Sequence, residues 1–292
     1  MTNSSSLTPC TGKQALSAAQ TLGLDRLDAQ LLLLHALGRP HSDRVWLLAH
    51  DGDALPAESA SLFRQLSLRR TAGEPLAYIV GRKEFFGMAL QVDARVLVPR
   101  PDTETLVDWA LAQLASLPAA ARVLDLGTGS GAIALALKKT RPALDVTAVD
   151  ASAGALAVAS ANAAHHALSI RFVEGDWLEN VSGHFHLIAS NPPYIAQADP
   201  HLPTLAHEPP GALIAGPDGL DDLRAIIDQA PAHLETQGWL LLEHGYNQAE
   251  AVRTLLMQRG FAEVQSRADL AGIARCSGGR WQAAGSPGQT AG

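Results

Sequence analysis

The sequence predicts an α/β protein: a mostly parallel, doubly wound sheet of seven strands, preceded by a small helical bundle and a β-hairpin. Three observations carry this. Residues 13 to 72 place apolar residues at helical spacing, residues 76 to 98 change to short alternating stretches, and from residue 122 strand-like and helix-like segments alternate.

In the first segment, "ALSAAQTLGL", "DAQLLLLHALG", "SDRVWLLAHD" and "LPAESASLFRQLSLRRTAG" read as helices, bounded by Gly23, Gly38, Ser42-Asp43 and Pro56. Nothing in it suggests chemistry. "AYIVGRKEFFGMALQVDARVLV" is broken at Gly81 and Gly87, which predicts a hairpin joining two domains. "PRPDTE" then stops the strand and starts a helix, with Asp102 or Thr103 as its N-cap. The strands expected next are "RVLDL", "DVTAVD", "SIRFVEG" and "FHLIAS". After a longer irregular stretch come "GWLLLEHG", "FAEVQSRAD" and "IARCSGG". Helices are expected in "GAIALALKKT", "AGALAVASANAAHH" and "NQAEAVRTLLMQRG". Repeated βα units place helices on both faces of the sheet. The domains expected are a helical bundle over 1–75, a hairpin linker over 76–98 and the α/β domain over 99–279. The small, polar residues 280–292 are expected to be disordered.

The composition excludes several classes. The 292 residues are 47% hydrophobic and 17% charged, which fits a soluble globular protein. A net charge of −7 argues against broad binding to a nucleic-acid backbone. Only Cys10 and Cys276 are present, too few for a disulfide framework, so a reducing cytoplasm is the expected location. No apolar run reaches the roughly 18 residues of a membrane span, and the first residues lack a secretory pattern. The eleven histidines, among them His165-His166 and "HFH" at 184 to 186, do not have zinc-ligand spacing with cysteine; no metal is expected.

The chemistry concentrates after the strands. In "VLDLGTGSGAIALAL" a strand ends at Asp125-Leu126, Gly127 to Gly131 form a turn and a helix follows. Glycines allow positive φ and close approach of a ligand to the backbone at the positive end of a helix. The spacing G-x-G-x-G, with an acid two residues earlier, differs from the G-x-G-x-x-G of nicotinamide binders and lacks the Lys-Ser/Thr of a P-loop. It is typical of S-adenosylmethionine sites, where Asp125 would answer the ligand's ammonium, directly or through water. Asp150 ends the next strand; it either accepts both ribose hydroxyls or caps the following helix. In "EGDWLEN", Trp177 could cover an adenine ring, with Asp176 near its amine, or could be a core residue.

"SNPPYI" puts Asn191 at the end of the fourth strand, which a doubly wound order sets beside the first. Asn191 Oδ1 and the Pro192 carbonyl can each accept a hydrogen bond from a substrate N–H. Two acceptors would aim the nitrogen lone pair at a methyl group and stabilise the charge that grows there. Pro192 and Pro193 stiffen the loop, and Tyr194 offers a flat wall.

An N/D-P-P-Y/F stretch here resembles the signature of methyltransferases acting on exocyclic or amide nitrogen. The ordered set "GEPLAYIVGRKEFFG", "VPRPDTE", "VLDLGTGSGAIAL", "GDW", "SNPPYI", "HEPPGALIAGPDGLD", "LLLEHG" and "DLAGIAR" resembles the glutamine methyltransferases of peptide chain release factors, over about residues 14 to 276. The resemblance implies a class I, Rossmann-like methyltransferase sheet and methylation of the glutamine side-chain amide in a Gly-Gly-Gln loop, acting on translation termination. Release factors 1 and 2 would be the protein substrates, without metal, membrane or direct nucleic-acid contact. It assigns Gly127, Thr128, Gly129, Ser130, Gly131, Asp150, Trp177 and Asn191 to S-adenosylmethionine, and Asn191, Pro192, Pro193 and Tyr194 to the glutamine. Residues 100 to 104 are expected to close over the cofactor. A ribosomal-protein glutamine is the alternative substrate, and adenine methylation in nucleic acid or non-catalytic cofactor binding are the rival readings. Cys276 departs from the aliphatic residue usual at its position.

Overall fold

The computed structural model describes residues 10–282, which divide into two compact units between Gly81 and Arg82. The first unit is helical: α1 (Gly12–Thr21), α2 (Arg26–Ala36), α3 (Arg44–Ala49), α4 (Ala57–Thr71) and α5 (Leu76–Val80). Thr11 and Gln14 close a capping box on α1, and the Asp25 carboxylate caps α2 through Leu27 N at 2.7 Å. Leu32, Leu33, Leu47, Phe63, Leu66 and Ile79 form its core.

One expectation fails here. "AYIV" was assigned to the hairpin as the first of the short alternating stretches, yet it lies in α5. Pro75 precedes that helix and Gly81 ends it in the left-handed region at φ 73°. Ala77, Tyr78 and Ile79 are buried, so packing overrides strand propensity. The helical unit therefore runs to Gly81, not residue 75.

The second unit opens with a hairpin of β1 (Arg82–Phe85) and β2 (Met88–Gln91), followed by α6 (Thr103–Leu114). Then come β3 (Arg122–Leu126), α7 (Ala132–Thr140), β4 (Asp145–Asp150), α8 (Ala153–His165), β5 (Arg171–Glu174) and β6 (Phe185–Ser190). The chain continues through α9 (Asp221–Gln229), β7 (Leu234–Glu243), α10 (Ala249–Arg259), β8 (Phe261–Ala268) and β9 (Ala274–Trp281). The described strands after the hairpin form one seven-stranded sheet in the order β5-β4-β3-β6-β7-β9-β8, with β9 antiparallel to both neighbours. Alternate residues serve opposite faces, as a pleated strand requires. Val123, Val146, Leu187 and Leu241 pack with residues of α6 and α7, while Leu124, Val149, Ile188 and Leu240 pack with residues of α9 and α10.

Helix α9 occupies part of the stretch expected to be irregular; Leu223, Ile226 and Ile227 form its buried stripe. β9 includes Arg280 and Trp281, two residues assigned to the tail, because Trp281 packs against Phe261 with ring centroids 5.3 Å apart. Residues 283–292 of that tail lie outside the described residues.

The topology fixes where a ligand can sit. β3 continues to β4 and β5 on one side, and β6 returns to the other side of β3. Leu126 pairs with Ser190, so Gly127 and Asn191 leave the ends of adjacent strands together. A crevice at such a switch point is the usual ligand site of an open α/β sheet.

Candidate active site

The glycine turn is built by three backbone conformations that L side chains rarely adopt, with φ of 66° at Gly127, 55° at Gly129 and 84° at Gly131. They serve different ends. A Cβ at Gly131 would lie 2.9 Å from Leu135 Cδ1, so this glycine lets the turn close on its own helix. A Cβ at Gly129 would meet nothing within 4 Å and would project into open space. Gly127, Thr128, Gly129 and Ser130 line a cavity of about 420 Å³; Gly131 is not among its lining residues. Asn162, buried on α8, donates to the Ser130 carbonyl at 2.9 Å and to the Gln91 carbonyl at 3.0 Å, tying the turn to β2.

Asp150 lines the same cavity and holds the turn in place. Its Oδ2 accepts from Gly129 N at 2.8 Å and its Oδ1 from Ser152 N at 2.9 Å. Burial pushes its pKa above the usual carboxylate range, while these two N–H groups pull it back. The cap of α8 is Ser152, whose hydroxyl accepts from Ala155 N at 3.2 Å. The helix-cap alternative for Asp150 is thereby taken by its neighbour.

Asp125 does not reach the cavity. Its side chain is fully buried, and Oδ2 accepts from Thr128 Oγ1 at 2.7 Å and from Ala134 N at 3.1 Å, inside the first turn of α7. Burial pushes its pKa up to about 7. It shapes the turn from beneath rather than answering an ammonium.

Trp177 and Asp176 follow β5 and both line the cavity. Trp177 adopts φ 48°, unusual for a bulky residue, and its ring lies 3.3 Å from where a Cβ on Gly127 would sit. Asp222 on α9 lines the same cavity, and burial raises the pKa of its carboxyl. The segment before α6 supplies Arg95, Val96, Leu97, Pro99 and Thr103 to the wall.

Asn191 lines this cavity and also a second one of about 270 Å³, whose other walls include Leu97, Arg100, Tyr194, Ile195 and Leu213. Asn191 Nδ2 donates to Thr103 Oγ1 at 3.2 Å, and its Oδ1 is buried without a partner among the described residues. Pro193 lines the larger cavity and Tyr194 the smaller, while Pro192 is buried. The Tyr194 hydroxyl donates to Glu243 Oε1 at 3.4 Å, and burial raises its pKa.

The 207–213 loop acquires a structural role. Ile195 N donates to the Leu213 carbonyl at 2.8 Å, so the loop runs beside the segment after Tyr194. Glu208, only 4% exposed, accepts from Val98 N at 3.1 Å and pairs with Arg100. It holds Val98 and Arg100 in place, and Arg100 lines the smaller cavity.

Residues 11–81 match the family described as PrmC N-terminal domain, and residues 104–208 match the Methyltransferase small domain. The chain is 51% identical over 261 residues to a release factor glutamine methyltransferase of Bordetella pertussis, spanning 88% of this chain and 95% of that one. The chain belongs to the release factor glutamine methyltransferase family. A member from Escherichia coli is 41% identical over 92% of this methyltransferase and 97% of its own length. The fold is shared more widely. A methyltransferase from Pyrococcus furiosus superposes with a TM-score of 0.53 at 18% identity, over 75% of this chain and 98% of its own.

Sequence reasoning missed three residues of this methyltransferase site: Glu208, Asp222 and Glu243. Glu243 carried a visible signal, an acid ending the apolar run "WLLLE" at the same sheet edge as Asp150. Thr103 falls in the 100–104 stretch expected at the cofactor and does line the cavity, whereas Asp222 lies on the helix that was missed.

Proposed function

We propose that the protein transfers a methyl group from S-adenosylmethionine to the side-chain amide nitrogen of the glutamine in the Gly-Gly-Gln loop of peptide chain release factors 1 and 2. The observation that carries this reading is Asn191 in the walls of two cavities at once, with an unpartnered buried acceptor. A buried polar atom without a partner costs about 1–3 kcal/mol, a cost that a substrate N–H removes.

The larger cavity suits the cofactor. Gly129 leaves backbone open to close approach, and the carboxylates of Asp150, Asp176 and Asp222 make a negative lining for a cationic ligand. When bound, S-adenosylmethionine supplies an electrophilic methyl on a sulfonium. Asp150 accepts the ribose hydroxyls through the lone pairs that its backbone bonds leave free. Trp177 covers the adenine, and the glycine turn holds the amino-acid end.

The smaller cavity receives the glutamine. Asn191 Oδ1 and the Pro192 carbonyl accept the two amide N–H bonds, and Tyr194 forms the flat wall. An amide nitrogen is a weak nucleophile because its lone pair is delocalised into the carbonyl. Two fixed acceptors orient that lone pair and stabilise positive charge as it grows on nitrogen. The alkylated nitrogen is strongly acidic and loses its proton to water, so no dedicated base is needed. The helical unit, residues 10–81, serves recognition of the protein substrate.

The test is tandem mass spectrometry of a purified release factor incubated with this protein and methyl-labelled cofactor. The label is expected on the glutamine side chain. Label elsewhere, or on a factor whose Gly-Gly-Gln glutamine has been replaced by alanine, contradicts the proposal.

A further inference from the structure

We propose that Gln248 is a positioning residue for methyl transfer: its side-chain amide holds the Tyr194 carbonyl, and with it the turn from Asn191 to Tyr194. The proposal rests on the reading of that turn as the glutamine site. Pro192 and Pro193 carry no backbone N–H, so two residues of the turn cannot tie themselves to a neighbour by donation. Anchors on the residues that follow therefore count for more. Ile195 N donates to the Leu213 carbonyl at 2.8 Å, and the Ile195 carbonyl accepts from Ala215 N at 3.0 Å, which fixes the chain beyond the turn. The Tyr194 carbonyl is held by a side chain.

Gln248 stands at the N-cap of α10, where a short Ser, Thr, Asp or Asn would accept from the first helical N–H groups. Its side chain makes no such bond. The residue is 8% exposed, and its amide turns to backbone groups elsewhere. Oε1 accepts from Gly245 N at 2.8 Å, while Nε2 donates to the Tyr194 carbonyl at 3.0 Å and to the Gly219 carbonyl at 3.1 Å. A backbone N–H only donates and a backbone carbonyl only accepts, so these partners fix which end of the amide is which.

Two glycines make room for it. A Cβ at Gly219 would lie 2.4 Å from the Tyr194 carbonyl oxygen and 2.9 Å from Gln248 Nε2, and one at Gly245 would lie 3.0 Å from Gln248 Oε1. The amide fills a slot that closes because both neighbours lack side chains. Gln248 lines neither cavity, whereas Tyr194 lines the smaller one. Gly219 leads into α9, whose Asp222 lines the larger. One buried amide thus joins the residue that walls the glutamine cavity to the segment that enters α9. A shifted Tyr194 carries the stiff prolines, and the acceptors before them, away from the reacting nitrogen. Misplacement on that scale costs transfer heavily even where the fold survives.

The experiment compares wild type, Gln248→Glu, Gln248→Met and Asn191→Ala. It reads single-turnover transfer against release-factor concentration with the cofactor saturating, calorimetric affinity for S-adenosylmethionine, and a thermal melt. Gln248→Glu keeps the acceptor for Gly245 N and removes only the two donated bonds. In both Gln248 variants the half-saturating concentration of release factor should rise about tenfold, the loss of one well-placed hydrogen bond, and the saturated rate should fall by a similar factor. Cofactor affinity should stay within about threefold, since Gln248 touches no residue of the larger cavity.

Wild-type half-saturation and rate in either folded Gln248 variant overturn the proposal. A lowered melting temperature with wild-type half-saturation, a loss confined to cofactor affinity, or unfolding of both variants also overturns it, because each assigns Gln248 to something other than the turn. Loss of transfer in Asn191→Ala alongside such results leaves the reading of the turn standing. Wild-type transfer in Asn191→Ala sinks that reading itself.

Discussion

Replacing Asp150 by alanine separates cofactor binding from the rest of the fold. The carboxylate makes one bond to Gly129 N and one to Ser152 N, leaving each oxygen a lone pair for a ribose hydroxyl. Two hydrogen bonds to a charged group at about 1.5 kcal/mol each amount to about 3 kcal/mol, or a loss of affinity on the order of 100-fold. The freed Gly129 N–H also loosens the turn, so the loss should not be smaller. Calorimetric titration with S-adenosylmethionine and with S-adenosylhomocysteine reads this directly, and a thermal melt shows whether the variant is folded. In the wild type the same affinity should fall as pH drops through the Asp150 pKa, which burial raises above the ordinary carboxylate value. A folded Asp150→Ala that binds either ligand at wild-type strength refutes the ribose assignment.

The glycine turn makes a paired prediction: Gly129→Ala should remain folded and lose cofactor affinity at least tenfold, whereas Gly131→Ala, crowding Leu135 at 2.9 Å, should mainly lower the melting temperature. Equal melting and binding in the two variants would contradict their different roles. Burial pushes the Asp125 carboxyl up to about 7 from its ordinary 3.8, so the fold holds its proton where the unfolded chain has released it. The stability it contributes is full below about pH 4 and lost as pH rises through about 7, up to roughly 4 kcal/mol in all. Denaturation of Asp125→Asn across that range should show a shallower pH slope than wild type, and an unchanged slope would reject the assignment. A protein beginning at Arg82 should bind S-adenosylmethionine within a few fold of the full chain but methylate a release factor poorly; normal methylation by it would remove the recognition role from the helical unit.

How much of this was legible in the sequence depended on how local the determinants were. β3, β4 and β6 were readable to the residue, because buried parallel strands are short apolar runs with polar ends. The segment 77–80 misled because its β-branched residues are governed by Pro75, Gly81 and the core of the helical unit. α9 was hidden among glycines and prolines, with too few turns for its stripe to stand out. At the site, residues that follow strand ends were visible: Asp150, Trp177 and Asn191 all line the larger cavity. Asp125 was misread because its spacing shows that it precedes the turn but not that it points beneath it. Thr103 and Glu243 could not be placed near Asn191 from sequence, since they lie 88 and 52 positions away, Thr103 reaching it from the start of α6 and Glu243 ending the strand beside β6.

The central claim is that Asn191 holds the substrate amide between two cavities. The most direct measurement is single-turnover methyl transfer to a release factor by Asn191→Ala, with the cofactor saturating so that binding and chemistry are separated. The account expects cofactor affinity to change modestly and transfer to fall by roughly 100-fold or more, the loss of one preorganised transition-state hydrogen bond. Transfer at the wild-type rate under those conditions would contradict it.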